Sequence, residues 1–431
     1  MFDEASRRAI LELVRGNREP PSRFVPGVTM IPASGKMVGN RERELMVEAA
    51  LDGWLTVGRF NARFEEELSN FLGAAHVLTV NSGSSANLIA LSALTSPELG
   101  KRAIRPGDEV VTAAAGFPTT IAPILQIGAV PVFVDVDPDS WNVDPARLPD
   151  ALSAKTRAVF LAHTLGIPFD AEAAARFCRA HGLWLVEDCC DALGSEWNGA
   201  GAGSFGDIAT LSFYPAHHIT TGEGGAVFTN NAGLARLAES FRDWGRHCRC
   251  RPGQDNACGR RFAGRHGDLP EGYDHKYVFS HAGYNLKMTD MAAACGVAQM
   301  GRLPDFIRRR RENYARLRDR VRDCRFLRLP EIDGRANPSW FGFPVLLDEN
   351  APLGRTDLLE RLDGRKIGSR LPFAGNALRQ PFMRDRPYRA AGELVYSDLA
   401  TRQGFWLGVW PGLAGEALEY MASNLLDLLA A

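Results

Sequence analysis

Val77-Leu78-Thr79-Val80-Asn81-Ser82-Gly83-Ser84-Ser85-Ala86-Asn87-Leu88-Ile89 reads as a strand, a turn of small residues and the start of a helix. The apolar run 77–80 predicts an extended segment, and the pattern over 88–94 predicts a helix beginning after the serines. A strand, a Gly/Ser turn and a helix make a natural phosphate site, because the free N–H groups and the dipole of the helix start favour an anion. A serine that merely caps the helix explains the same turn equally well.

Outward from this stretch, short apolar runs alternate with helical patterns. The runs at 76–80, 109–112, 130–134, 156–162, 183–186, 208–212 and 225–229 predict strands. They lack two-residue alternation, which suits strands covered on both faces in a mostly parallel sheet. The expected fold is therefore α/β, with helices over a largely parallel sheet and a small C-terminal α+β domain. Residues 1–40 read as a helix followed by a Pro/Gly-rich arm (Pro20-Pro21, Pro26-Gly27, Pro32, Gly35), and 41–300 as the large domain. Within it, 244–282 is rich in Gly, Arg, His and Cys and reads as an insertion. The remainder, 301–431, is the expected small domain. After 292 one long helix is expected, running through Gln299 into Arg308–Arg311, Arg316, Arg318, Arg320 and Arg322, whose arginines read as a solvated face.

The chain has 431 residues, 45% hydrophobic and 23% charged, with a net charge of −1. That length predicts two domains, and the charge balance gives no reason to expect a nucleic acid or an anionic membrane as partner. No apolar run reaches the roughly eighteen residues of a membrane span. The first residues carry early charge and no apolar core, so a cytoplasmic protein without a secretory leader is expected. Eight cysteines are too few for a disulfide scaffold.

Val186-Glu187-Asp188 ends an apolar run at the edge of a parallel sheet where ligands bind. A carboxylate there could keep a pyridinium nitrogen protonated; a helix-capping aspartate is the plainer explanation of the motif alone. Further on stands Ser212-Phe-Tyr-Pro-Ala-His217-His218-Ile-Thr-Thr-Gly222-Glu-Gly-Gly225. Together these segments resemble the DegT-type sugar aminotransferases, within the fold-type I enzymes that use pyridoxal phosphate (PLP), from about residue 31 to the C-terminus. The resemblance implies an aspartate aminotransferase-like fold. It assigns the coenzyme phosphate to Gly83, Ser84 and Ser212, the covering aromatic ring to Phe117, and the pyridine nitrogen to Asp188. It matches Asn285, in Gly283-Tyr284-Asn285, to a residue that reaches the neighbouring subunit's coenzyme, which implies a homodimer.

Two departures stand out. His217 occupies the position of the lysine that forms a Schiff base with the coenzyme; an imidazole cannot form that bond but can carry protons near neutral pH. Cys189-Cys190-Asp191 replaces the usual Ala-Ala-Gln. Cys190, Cys248, Cys250 and Cys258 give C-x57-C-x-C-x7-C. Structural zinc usually uses paired C-x2–4-C units, and the common ferredoxin spacings differ too, so spacing alone leaves the metal open. The pattern resembles the [2Fe–2S] signature of the CDP-6-deoxy-L-threo-D-glycero-4-hexulose-3-dehydrase subfamily, whose members also carry His-His-Ile-Thr in place of the lysine segment. Cys190 stands two residues from Asp188, so their Cα atoms are separated by roughly 6–7 Å in extended chain and a cluster held there would adjoin the coenzyme. Arg246, Arg249, Arg251, Arg260, Arg261 and Arg265 surround the later cysteines and would ease reduction of such a cluster or steer an acidic partner, unless they are simply solvated. Cys178, Cys295 and Cys324 read as buried apolar residues, and Cys189 is ambiguous.

The subfamily resemblance implies a pyridoxamine phosphate (PMP)-dependent 3-dehydrase of a CDP- or dTDP-linked 4-keto-6-deoxyhexose. His217 would be the proton carrier, and electrons would come through the [2Fe–2S] centre from a separate NAD(P)H-dependent iron–sulfur flavoprotein reductase. Two other readings stay open: a nucleotide-sugar aminotransferase with an atypical anchoring residue, and a non-catalytic or zinc-stabilised scaffold.

Overall fold

The computed structural model describes residues 2–17, 23–250 and 253–430; Pro20, Pro21 and Arg251, named above, lie outside the described residues. The strands that position the site are β1 His76–Val80, β2 Glu109–Ala113, β3 Val130–Val134, β4 Thr156–Ala162, β5 Trp184–Asp188, β6 Ile208–Ser212 and β7 Gly225–Thr229. Strands β8 Leu327–Arg328, β9 Gly342–Leu347, β10 Ser369–Arg370, β11 Arg389–Ala390 and β12 Gly404–Gly408 follow. The helices used below are α1 Glu4–Gly16, α2 Asn40–Asp52, α3 Arg59–Leu72, α4 Gly83–Ala93, α5 Pro118–Gln126, α6 Ala171–His181, α7 Ala232–Arg242, α8 Asp290–Met300, α9 Leu303–Val321, α10 Arg355–Gly364, α11 Val395–Gln403 and α12 Gly415–Ala430.

One sheet runs β1-β7-β6-β5-β4-β2-β3-β11. Its pairs from β6 through β5, β4, β2 and β3 to β11 are parallel, and β7 lies antiparallel to both β6 and β1. Every residue of β5, β6 and β7 is buried, as the unbroken apolar runs require for strands covered on both faces. Side chains alternate between the two faces. Val110, Phe160, Val186 and Ile208 pack with Ile89 and Leu91 of α4 and with Leu234 and Phe241 of α7. Val111, Val159, Leu161 and Leu185 pack with Ala171, Ala174 and Cys178 of α6. Each fully buried Phe or Leu of this kind contributes about 1.5–3 kcal/mol relative to exposure.

A second, antiparallel sheet of order β8-β9-β12-β10 packs with α9, α10 and α12 around Tyr314, Leu317, Val345, Phe405, Leu418 and Met421. The arm is pinned to this layer, since Ile31 N–H donates to Lys366 O (2.8 Å) and Gly368 N–H donates to Ile31 O (2.8 Å). Strand β11 returns from the C-terminal part of the chain to the outer edge of the large sheet beside β3. Among the described residues, no helix is long and apolar enough to cross a membrane.

Two expectations need correction. The single long helix after 292 is two helices, α8 and α9, broken at Gly301-Arg302 with Pro304 in the first turn of the second, where a proline fits because its missing N–H needs no partner. The arginine series is not uniformly solvated either. Arg310 is fully buried (0% exposed), while Arg308, Arg309, Arg318, Arg320 and Arg322 face water.

Candidate active site

The turn after β1 delivers two functions at once. Ser82 caps α4 by accepting a hydrogen bond from Ser85 N–H at 3.1 Å. Capping leaves the N–H groups of Gly83 and Ser84 with no acceptor among the described residues, as expected of a first helical turn. A Cβ built on Gly83 would lie 2.4 Å from Ser212 Cβ, 2.8 Å from Ser212 Oγ and 3.1 Å from Cys190 Sγ. Glycine is therefore required to bring the helix start against the end of β6. Two free N–H groups and the Ser212 hydroxyl then converge on one spot, a cradle for a phosphate. The capping and phosphate readings of this turn are compatible, since different atoms serve each.

Asp188 ends β5 and is 5% exposed. Its Oδ2 accepts from Asn87 Nδ2 (2.8 Å) and Thr120 Oγ1 (2.7 Å), and its Oδ1 accepts from Cys190 N–H (3.0 Å). Asn87 is itself oriented by Thr210 Oγ1, which donates to its Oδ1 at 2.6 Å. Asp188 caps no helix; it stands as an oriented carboxylate held by α4, α5 and β6. Phe117 precedes α5, three residues before Thr120, and is half-exposed. Its ring meets Phe373 edge-on at 5.7 Å.

The two histidines after β6 part ways. His218 is 2% exposed and its Nε2 bonds Ser339 O at 2.8 Å, so it is locked in the core. His217 stands near Asp188 and the Cys190 backbone, and these residues with Gly83 border one crevice at the strand ends; its ring packs at 5.2 Å from that of Phe341, with Nδ1 buried and unpartnered. Asp191 Oδ1 is 3.5 Å from that nitrogen, longer than a hydrogen bond. Burial draws the imidazole down to about 4, with Asp188 opposing and Arg310 assisting. Burial and Asp188 together push the Asp191 carboxyl up to about 8. At neutral pH the pair is thus a neutral base beside a protonated acid.

Arg310, which the sequence reading placed on a solvated face, holds this loop. Its Nη1 donates to Trp340 O (3.0 Å) and Phe341 O (3.2 Å), and its Nη2 to His217 O (3.0 Å) and Ala216 O (3.5 Å). Removing a guanidinium from water costs several kcal/mol, offset here by carbonyls on both sides of a junction. A second group missed by sequence is Glu187. It accepts from Gly203, Phe205 and Gly206 N–H at 2.9, 2.9 and 2.6 Å and pairs with His163 Nε2 at 2.9 Å. His163, Glu187 and Cys189 lie close enough to hold an ion, but the carboxylate is already occupied by these four donors. Cys189 is buried, and a Cβ on Gly203 would approach its Sγ to 3.0 Å, which resolves its ambiguity in favour of the core.

The thiols divide in two. Cys250 N–H donates to Cys248 Sγ at 3.4 Å, the Cys250 thiol interacts with the Cys248 and Cys258 thiols, and Cys258 Sγ is 3.5 Å from His275 Nε2. Three thiols therefore converge within the insertion. The fourth, Cys190, faces Gly83 in the coenzyme crevice, and no contact among the described residues joins it to the other three. Asn285 is exposed and accepts from Lys287 Nζ at 2.5 Å, next to Leu286, whose O accepts from Asn81 N–H at 2.8 Å.

The sequence profile of the DegT/DnrJ/EryC1/StrS aminotransferase family matches residues 37–426. The chain belongs to that family. Lipopolysaccharide biosynthesis protein RfbH of Salmonella typhimurium is 54% identical over 94% of this chain and 93% of its own length. The dTDP-4-dehydro-2,6-dideoxy-D-glucose 3-dehydratase of Saccharopolyspora spinosa is 47% identical over 100% of this chain and 93% of its own. Among solved structures, E. coli GDP-4-keto-6-deoxy-D-mannose-3-dehydratase with bound hydrated PLP matches with a TM-score of 0.82 at 25% identity, covering 92% of this chain and 100% of that one. The fold is the PLP-dependent fold of this family. The phosphate cradle, the oriented Asp188 and the crevice-lining His217 suit a PLP-type coenzyme held without a covalent tether.

Proposed function

We propose that this chain is a PMP-dependent 3-dehydratase of a nucleotide-activated 4-keto-6-deoxyhexose. The observation that carries this reading is His217: an imidazole that burial keeps neutral at pH 7, set near Asp188, stands where the family's Schiff-base lysine is expected. Relatives named as 3-dehydratases of dTDP- and GDP-linked sugars support the substrate class but differ in the base, so CDP or dTDP remains the substrate choice to be measured.

When bound, PMP supplies an amine for the C4 ketone and a ring that takes up electrons. Gly83 and Ser84 N–H and Ser212 Oγ would hold the phosphate. Asp188, fixed by Asn87 and Thr120, would pair with the ring nitrogen, and Phe117 would cover the ring. His217, whose imidazole burial keeps uncharged at neutral pH, would be the group that accepts a proton from the bound coenzyme. Arg310 keeps the His217 backbone in place while that proton moves. The same reading includes a cytoplasmic homodimer with Asn285 at the neighbouring coenzyme, a [2Fe–2S] centre on Cys190, Cys248, Cys250 and Cys258, and an NAD(P)H-dependent reductase as partner. Convergence of three of these thiols supports the cluster; within one chain Cys190 stands apart.

Incubation of the PMP-loaded protein with CDP- and dTDP-4-keto-6-deoxyglucose, with and without reductant, tests the assignment. A 3-deoxy product is expected. Glutamate-dependent transfer of nitrogen to the sugar would instead establish an aminotransferase.

A further inference from the structure

Cys190 lies two residues past the end of β5, and β5 is the fourth strand of the sheet counted from its β1 edge. Neighbouring strands lie about 4.7–4.9 Å apart, so β5 and β1 are separated by roughly 14 Å. Cys248 and Cys250 lie beyond that edge. They border a cleft of about 1300 Å³ together with Glu65 of α3, Val77 and Leu78 of β1 and Glu239 of α7. Thiolates on one two-iron core must lie within several ångströms of each other, and one chain does not bring these four together.

The remaining thiols offer no local substitute. Cys178, Cys189 and Cys295 are buried, and Cys324 packs against the core of the C-terminal sheet. Cys190 is half-buried at the crevice, next to no other ligand of the quartet. The insertion that carries the three thiols also exposes Trp244 (39%), Phe262 (62%), Tyr277 (55%) and Phe279 (52%). Four exposed aromatic rings on one insertion are a feature of protein-binding surfaces. It is tied at its base to the segment leading to Asn285, through Trp244 N–H to Tyr284 O and His247 N–H to Val278 O (2.9 Å).

We infer that the quartet is completed between two copies of this chain: Cys248, Cys250 and Cys258 of one protomer with Cys190 of the partner subunit. A two-fold axis makes the arrangement self-consistent, because each chain gives three thiols to one site and one to the other. Sharing rests on the cluster proposed above. It also places each metal centre against the partner's coenzyme crevice, so that neither half-site is complete in a monomer.

Complementation between inactive variants separates the possibilities. Cys190→Ser and Cys248→Ser chains carrying different tags are co-expressed, and the mixed dimer is isolated through both tags. Iron, acid-labile sulfide and the EPR signal after reduction are then measured on the reconstituted proteins. Both variant homodimers are expected to lack the cluster, while the mixed dimer holds about half the wild-type iron, since one of its two sites keeps all four thiols. A mixed dimer free of iron beside a loaded wild type overturns sharing and leaves the cluster reading intact. Full iron in the Cys190→Ser homodimer with loss in His275→Ala also overturns it, by making His275 the fourth ligand. A monomeric wild type that holds full iron overturns it as well, whereas wild-type protein that takes up no iron and sulfide removes the cluster itself.

Discussion

His217 Nδ1 and Asp191 Oδ1 face each other at 3.5 Å, and burial moves their proton affinities in opposite directions, to about 4 and about 8. The base is thereby free at neutral pH, and the acid beside it is uncharged. An ionised Asp191 would raise the proton affinity of the imidazole and move its titration back toward neutral pH.

The first prediction concerns rate. Coenzyme C4′ proton exchange in the PMP-loaded protein should stay flat from about pH 5 to pH 7. It should fall only as His217 protonates near 4, rather than near the unperturbed value of about 6.5. His217→Asn should abolish exchange with the fold and any bound iron retained. An acid limb near 6.5 in the wild type would show that burial does not set this group.

Stability should carry the same signature. Asp191 has a folded-state value of about 8, above the ordinary carboxyl value of about 3.9. Over that interval the folded state binds a proton that the unfolded state has released, so the group removes stability as pH rises from about 4 to 8. Asp191→Asn lacks this slope. Its denaturation midpoint should therefore gain on the wild type between pH 5 and pH 8, and equal spacing at all pH values would contradict the assignment. His217 runs oppositely in both proteins. Its lowered value favours the folded state as pH rises from about 4 to 6.5, by up to about 3 kcal/mol.

Arg310→Met should strand the carbonyls of His217, Trp340 and Phe341 and cost on the order of 3 kcal/mol. Arg310→Lys should recover little, because one ammonium cannot span both carbonyl pairs. With substrate saturating, kcat should drop while KM changes little, because the guanidinium positions the base. A KM effect alone would place Arg310 in substrate binding.

Gly83→Ala should weaken PMP binding by about tenfold or more, since the new Cβ would fall 2.4 Å from Ser212 Cβ and force the cradle open. Titration of the variant with PMP, followed by coenzyme absorbance, checks this; unaltered affinity would remove the turn from the phosphate site.

Most of the large sheet was legible in the sequence because its strands are buried on both faces and read as unbroken apolar runs. The runs at 76–80, 130–134, 156–162, 208–212 and 225–229 coincide with strands, and β2 and β5 differ only at their ends. Strand β11 was not legible, as two residues carry no pattern. The break between α8 and α9 was hidden because the apolar periodicity runs across it. Arg310 left a usable sign: it lies on the stripe Phe306, Ile307, Arg310, Tyr314, Leu317 and Val321, whose other members are apolar or aromatic and all buried. A charge on such a stripe has to find partners inside. The pairing of His217 with Asp191 had no such sign, for it depends on where two loops meet.

The outer edge of β3 is covered by Arg389 and Ala390, with Ala391 N–H donating to Phe133 O at 2.8 Å. Until those residues have emerged from the ribosome, the growing sheet presents open N–H and C=O groups along β3, a template for pairing with other nascent chains. Synthesis of this protein therefore exposes that margin until Arg389 and Ala390 have been made, and truncation before Arg389 should yield aggregates rather than a smaller enzyme.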